Sequence, residues 1–87
     1  MTRRRKLFLK ALNNPRGLRF GEFTVLIESF GFVFDRQRGS HRYYVRDDVR
    51  EIVNVQPRAD GKAKTVQVTE FLELVQRYAL RLEEEYI

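Results

Sequence analysis

The sequence predicts an α+β fold in which helices pack on one face of a three-stranded antiparallel sheet. Both ends of the chain show apolar residues at helical spacing, whereas residues 32–56 change to the short runs that are typical of strands. Short connections join these runs, which favours antiparallel pairing. Such a sheet has one face to bury, and the helices beside it in sequence can cover that face. At 87 residues the chain has room for one small domain.

The first helix is predicted from Arg3 to about Leu12. Four apolar residues share one of its faces: Leu7, Phe8, Ala11 and Leu12. The run Asn13-Asn14-Pro15-Arg16-Gly17 ends this helix, because these residue types favour turns. We expect residues 1–14 to form an additional helix before a core of residues 19–82, and the sequence does not show where this helix docks.

The second helix is predicted from about Phe20 to Phe30. Its apolar residues follow the i, i+3, i+4, i+7 pattern of a buried helix face: Phe23, Leu26, Ile27 and Phe30. Gly31 follows directly, at the position where a left-handed residue often ends a helix.

Three strands are expected next, over residues 32–34, 41–46 and 52–56, and Pro57 ends the third. Residues 37–40 are predicted to form the turn between the first two strands. A polar loop of residues 58–64 follows the sheet. The last helix is then expected from about Thr69, with an apolar stripe made of Phe71, Leu72, Val75, Tyr78, Ala79 and Leu82.

The composition narrows the classes of function. The chain has no Cys, which excludes disulfides, thiolate metal sites and cysteine catalysis. Its apolar runs are too short to cross a membrane, so we expect a cytoplasmic protein without a membrane partner. The net charge is +5, and residues 1–50 hold 12 Lys and Arg against 5 Asp and Glu. This imbalance indicates an anionic partner, of which nucleic acid is the commonest.

His41 is the only histidine, and therefore the only side chain whose ordinary pKa lies near neutrality. It begins the second predicted strand, directly after Gly39-Ser40. Strand alternation places it on the side of Tyr43 and opposite to Tyr44. The sequence leaves open whether that side meets the helices, with His41 at the rim of the core, or forms an open sheet face.

The order of these features resembles the HicA family of toxins from bacterial toxin–antitoxin modules. The resemblance is carried by a helix that ends at Gly31, the run Arg38-Gly39-Ser40-His41 between two strands, the loop with Gly61-Lys62 and a closing amphipathic helix. It implies a fold similar to the double-stranded-RNA-binding domain, with an α-β-β-β-α core. It also implies a toxin that cleaves mRNA with one histidine, without a metal or cofactor, and is neutralised by a cognate HicB-like antitoxin.

On this resemblance His41 is the candidate catalytic residue. The candidate RNA-binding residues are the cations near it and in the polar loop: Arg36, Arg38, Arg42, Arg58, Lys62 and Lys64. Of these, Arg38, Lys62 and Lys64 are the first candidates for holding the phosphate and stabilising its transition-state charge.

Two other functions stay open. The first is a non-catalytic RNA- or DNA-binding domain in which Tyr43 or Tyr44 stacks on a base, with Tyr44 favoured because Arg42 and Arg46 flank it. Cross-strand packing is the alternative role for Tyr44. The second is a protein-interaction domain whose basic face meets an acidic partner.

Overall fold

The computed structural model describes residues 2–83, which form three α-helices and one three-stranded sheet. The elements are α1 (Arg3–Asn13), a 3-10 turn (Pro15–Gly17), α2 (Phe20–Ser29), β1 (Val33–Arg38), β2 (His41–Val45), β3 (Val53–Val55) and α3 (Thr65–Arg77). Within the described residues, no helix combines the length and apolar character that crossing a bilayer requires. The predicted α+β class and the element order are confirmed.

The sheet is an antiparallel meander in the order β1-β2-β3. A two-residue turn, Gly39-Ser40, joins the first two strands and places Arg38 opposite His41. Gly39 has a φ of +57°, a conformation that a residue with a Cβ adopts only with strain. The register between β1 and β2 shifts at Asp35, where a bulge interrupts the ladder.

The core lies between one face of the sheet and the helices. Tyr44, Val53 and Val55 point into it from the sheet, and each is buried. Phe71 of α3 lies at the centre of an aromatic cluster, with ring centroids 5.6 Å from Phe32, 5.9 Å from Phe30 and 6.0 Å from Phe23. These edge-to-face contacts join α2, α3 and the start of β1 into one packed unit.

Helix α1, which the sequence left without a docking site, packs against α2. Leu7 and Ala11 are buried there, and the Phe8 ring meets the Phe30 ring edge to face at 5.2 Å. The Lys10 ammonium also lies 3.0 Å from the Glu22 carboxylate. Partial burial raises the pKa of Glu22, but the Arg19 backbone N–H and the Lys10 ammonium outweigh it, and the net shift is downward. The ion pair therefore ties α1 to the first turn of α2.

Two elements, β1 and α3, have boundaries that differ from the prediction. β1 extends through Arg38, so Gln37 and Arg38 belong to the strand and not to the turn. α3 begins at Thr65 and ends at Arg77, so it starts and stops earlier than the predicted helix. Val68 is fully buried and continues the Phe71 stripe by one turn, which explains the earlier start. The elements α2-β1-β2-β3-α3 reproduce the predicted α-β-β-β-α core.

Candidate active site

The sheet face that points away from the helices carries the side chains of interest, and we call it the open face. By register and alternation, it displays Arg36 and Arg38 from β1, His41 and Tyr43 from β2, and Asn54 from β3. Asn54 is exposed, whereas its neighbours Val53 and Val55 are buried on the other side. The question that the sequence left open is thereby resolved, because His41 lies on the open face.

His41 is held by side chains from its own strand and from the next. Its Nδ1 lies 3.0 Å from Oδ1 of Asn54, which is a hydrogen-bonding distance. Its ring stacks beside Tyr43 with an interplanar angle of 26° and a centroid distance of 6.4 Å. The imidazole is half-buried, so it is restrained on one side and accessible on the other. This combination of restraint and access is what proton transfer to a bound substrate requires.

The two arginines of β1 on the open face differ in the side chains that they contact. The Arg36 guanidinium lies over the Tyr43 ring, 4.4 Å from its centroid, and also pairs with Asp35. Arg38 is exposed directly opposite His41, and among the described residues no carboxylate pairs with it. Arg38 is therefore the cation that lies beside His41 on the open face without an ion-pair partner among the described residues.

Arg42 and Tyr44 lie on the opposite face. The Arg42 guanidinium sits 5.4 Å from the centroid of the Phe20 ring. Tyr44 is only 3% exposed and packs edge to face on Phe34 at 5.8 Å. The prediction that Tyr44 is the better base-stacking residue is therefore wrong, and cross-strand packing is its role. Tyr43 is the tyrosine that faces the open side.

The loop of residues 58–64 lies at the His41 end of the sheet. Arg42 pairs with Val55, so the chain that follows β3 emerges beside the start of β2. The loop is fixed there by backbone hydrogen bonds from Phe20 to Gly61 (3.1 Å) and from Ala63 to Leu18 (3.0 Å). The α2 N-terminus, the β1–β2 hairpin and this loop therefore share one end of the molecule.

The cations of that loop are not equivalent. Arg58 pairs with Asp60 at 3.1 Å, so a carboxylate of the same loop competes with any other anion for its guanidinium. Lys62 is exposed and forms a backbone bridge with Arg19, while Lys64 is half-buried and directly precedes α3. The structure thus places Arg19 beside Lys62. No sequence pattern had singled out Arg19 as a site residue.

The chemistry available on the open face is acid–base and electrostatic. Across residues 2–83, no three His, Asp or Glu side chains converge as metal ligands. Asn54 was not among the site residues predicted from the sequence. One feature pointed to it, since it is a single polar residue between two valines of a strand. Such a residue marks the solvent side of a half-buried sheet.

Comparison with known proteins gives one family. A family model described as "HicA toxin of bacterial toxin-antitoxin" matches residues 21–75. The matched range runs from the first turn of α2 through the whole sheet into α3, and it covers more than half of the chain. No match was found among curated proteins or solved structures. His41, Arg38 and Asn54 all lie inside the matched range.

Proposed function

We propose that this chain, which belongs to the HicA family of bacterial toxins, is an endoribonuclease that cleaves mRNA in the cytoplasm without a metal ion. The toxin role follows from the family, and the reaction is our proposal. The observation that carries it is the setting of the only histidine: His41 is restrained by Asn54 and Tyr43, accessible on the open face and opposite an unpaired Arg38.

RNA supplies its own nucleophile, which is why one histidine is enough. In the proposed step, the imidazole of His41 removes the proton from a ribose 2′-OH. The oxygen forms a bond to the adjacent phosphorus while the P–O5′ bond breaks, and its electron pair stays on O5′, which takes a proton from water. The products are a 2′,3′-cyclic phosphate and a 5′-OH. General-base catalysis of this kind contributes about 10²–10⁴-fold.

The remaining task is to stabilise negative charge on the phosphate. Arg38 lies opposite His41 and has no carboxylate partner in the described part of the chain, and the planar donors of its guanidinium match two phosphate oxygens. Arg36, Arg42, Arg58, Lys62 and Lys64 are proposed to contact the rest of the RNA backbone, with Arg36 and Arg58 weakened by their ion pairs. Backbone contacts of this type position the RNA and carry no sequence information.

A HicB-like antitoxin is the proposed partner that silences the toxin. We expect an acidic surface of this partner to cover the open face, because opposite charges give fast, steered association. Hydrogen exchange on the complex tests this. Protection of β2 and of the loop of residues 58–64 supports the proposal, and a complex that leaves both regions exchanging as in the free toxin contradicts it.

The reaction is tested with three oligonucleotides of one sequence: RNA, DNA and 2′-O-methyl RNA, each in buffer with EDTA. We expect cleavage of RNA only, with cyclic-phosphate and 5′-OH ends, because only RNA has a free 2′-OH. Cleavage of the DNA, or RNA products with 5′-phosphate ends, contradicts the proposed step. A strict requirement for Mg²⁺ contradicts it as well.

The second candidate function is RNA binding without cleavage. It is favoured by Tyr43, whose ring faces the open side and is backed by the Arg36 guanidinium. Aromatic and guanidinium planes stack on unpaired bases in many RNA-binding surfaces. Under this function the three oligonucleotides stay intact, and RNA binding survives replacement of His41 by Gln.

A further inference from the structure

We propose that Asn54 is a positioning residue, which holds His41 in the neutral tautomer that carries its hydrogen on Nδ1. This inference deepens the proposed function and rests on it. It assigns a residue of β3 to the acid–base apparatus, and it states which ring nitrogen receives the substrate proton: Nε2.

The contact is set by the strand register. Asn54 lies opposite Tyr43, which makes it the diagonal neighbour of His41 on the same face of the sheet. Its Oδ1 lies 3.0 Å from His41 Nδ1. An amide oxygen only accepts hydrogen bonds, so Nδ1 must carry the hydrogen when this bond forms. A neutral imidazole has a single N–H, and its Nε2 is then left with a free lone pair.

Tyr43 restricts how far the imidazole ring of His41 can tilt. Its ring lies beside His41 at 6.4 Å, and the Arg36 guanidinium lies over it at 4.4 Å, so the tyrosine is itself held. The hydrogen bond to Asn54 fixes the orientation of the ring, and the stacked tyrosine limits its tilt. A general base with a fixed lone pair loses less orientational freedom when the substrate binds.

Asn54 is neutral, so the side chain that meets His41 Nδ1 adds no charge beside the imidazole. The charged groups that face His41 are Arg38 and, beyond Tyr43, Arg36, both on β1. β3 contributes the neutral Asn54, and Arg42 projects to the opposite face. Among the described residues, the side chain that meets the imidazole Nδ1 is therefore an amide and not a carboxylate.

The tautomer is read directly by long-range ¹H–¹⁵N correlation spectra of the free protein, at a pH where His41 is neutral. We expect the hydrogen on Nδ1 in the parent. In Asn54→Ala we expect Nε2–H, the tautomer that dominates in free histidine, together with a loss of RNA cleavage of about 10- to 100-fold. Gln76→Ala is the matched control, because it removes an exposed amide from α3 and leaves the open face unchanged.

A second variant separates positioning from simple loss of structure. Asn54→Asp keeps the acceptor at Nδ1, so we expect the Nδ1–H tautomer to be retained. Its carboxylate stabilises the imidazolium, so we expect the acid limb of the pH–rate profile to move to higher pH. A profile that does not move overturns the role of Asn54.

The two proposals fail in different ways. A parent protein that cleaves RNA but carries its hydrogen on Nε2 overturns the positioning role alone, and so does an Asn54→Ala variant that keeps the Nδ1–H tautomer. A parent that holds the Nδ1–H tautomer but never cleaves RNA overturns the proposed function, and the contact is then a structural one.

Discussion

His41 illustrates how a single side chain acquires a role from the residues around it. The imidazole is restrained by Asn54 on the neighbouring strand and by Tyr43 on its own strand, and Arg38 lies opposite it. The positions of Asn54 and Arg38 beside His41 depend on the sheet register, whereas Tyr43 shares its face through alternation along β2. A slip of one residue would turn His41 toward the helices, because side chains alternate between the two faces.

Arg38 gives the most direct test of charge stabilisation at this site. Replacing Arg38 with Gln removes the guanidinium opposite His41, which no carboxylate of residues 2–83 pairs with, and we expect RNA cleavage to slow by about 10²-fold. The control is Arg50→Gln, an exposed cation in the connection between β2 and β3, at the other end of the sheet. Equal rate losses in the two variants would show that only overall charge matters.

The β1–β2 hairpin shows which features of the sheet could be predicted from the sequence. Gly39-Ser40 indicated a turn, and the runs on each side indicated strands, so the meander was predictable. The side on which each tyrosine lies was not, because it depends on pairing between distant strands. Tyr44 shares its face with the buried Val53, whereas Tyr43 shares its face with the exposed Asn54.

The ends of the helices and strands were also difficult to predict from the sequence. The sequence placed the start of α3 at about Thr69, just before the apolar stripe that begins with Phe71. Val68 is the first residue of α3 that is fully buried, and that burial extends the helix toward Thr65. For the candidate site, the position of Asn54 beside His41 required the β2–β3 register, which no local pattern encodes.

A hydrogen-bonded cluster fixes the C-terminal end of α3 to the chain before β3. Glu51 accepts a hydrogen bond from the Tyr78 hydroxyl and lies 2.8 Å from the Arg77 guanidinium. The Tyr78 hydroxyl is the main cause that lowers the pKa of Glu51, and the bond to Glu51 is the main cause that raises the pKa of Tyr78. The cluster thus requires an ionised Glu51 and a protonated Tyr78.

The signs of these shifts define a pH window for stability. The contribution of Glu51 is present above its unfolded pKa and is lost as the pH falls through the lowered folded pKa. The contribution of Tyr78 is present below its unfolded pKa and is lost as the pH rises through the raised folded pKa. We expect Tyr78→Phe to lower the Tm by a few degrees at pH 7, and the difference from the parent to shrink toward acid and strongly alkaline pH. Thermal melts across that range check this, and a difference that is constant with pH contradicts it.

Across the whole molecule, the positive charge comes from separate regions of the chain that the fold brings together. The basic first half of the chain supplies α1, α2, β1 and β2, and the loop of residues 58–64 adds cations at the His41 end. The family match covers the core and not α1, which packs on α2 through Leu7, Ala11 and Phe8. The cations proposed to line the RNA path, from Arg36 to Lys64, all lie within the matched range.

The loop's contribution to that path is measurable as a salt dependence. Replacing Lys62 and Lys64 together with Ala should weaken RNA binding equally across sequences. It should also flatten the plot of log K against log salt by about 0.7 for each charge removed on single-stranded RNA. The control pair is Arg50→Ala with Arg81→Ala, two exposed cations outside the loop. An unchanged slope in the lysine variant would place the loop outside the RNA path.

His41→Ala tests whether His41 transfers a proton in RNA cleavage, provided that cleavage, RNA affinity and Tm are measured on one sample. We expect cleavage to fall by at least about 10²-fold, with RNA affinity within a few-fold of the parent. We expect the Tm to change little, because the imidazole lies on the open face and not in the core. His41→Gln, which keeps a polar side chain, should be equally inactive. A well-folded His41→Ala protein that cuts RNA at the parental rate would contradict the claim.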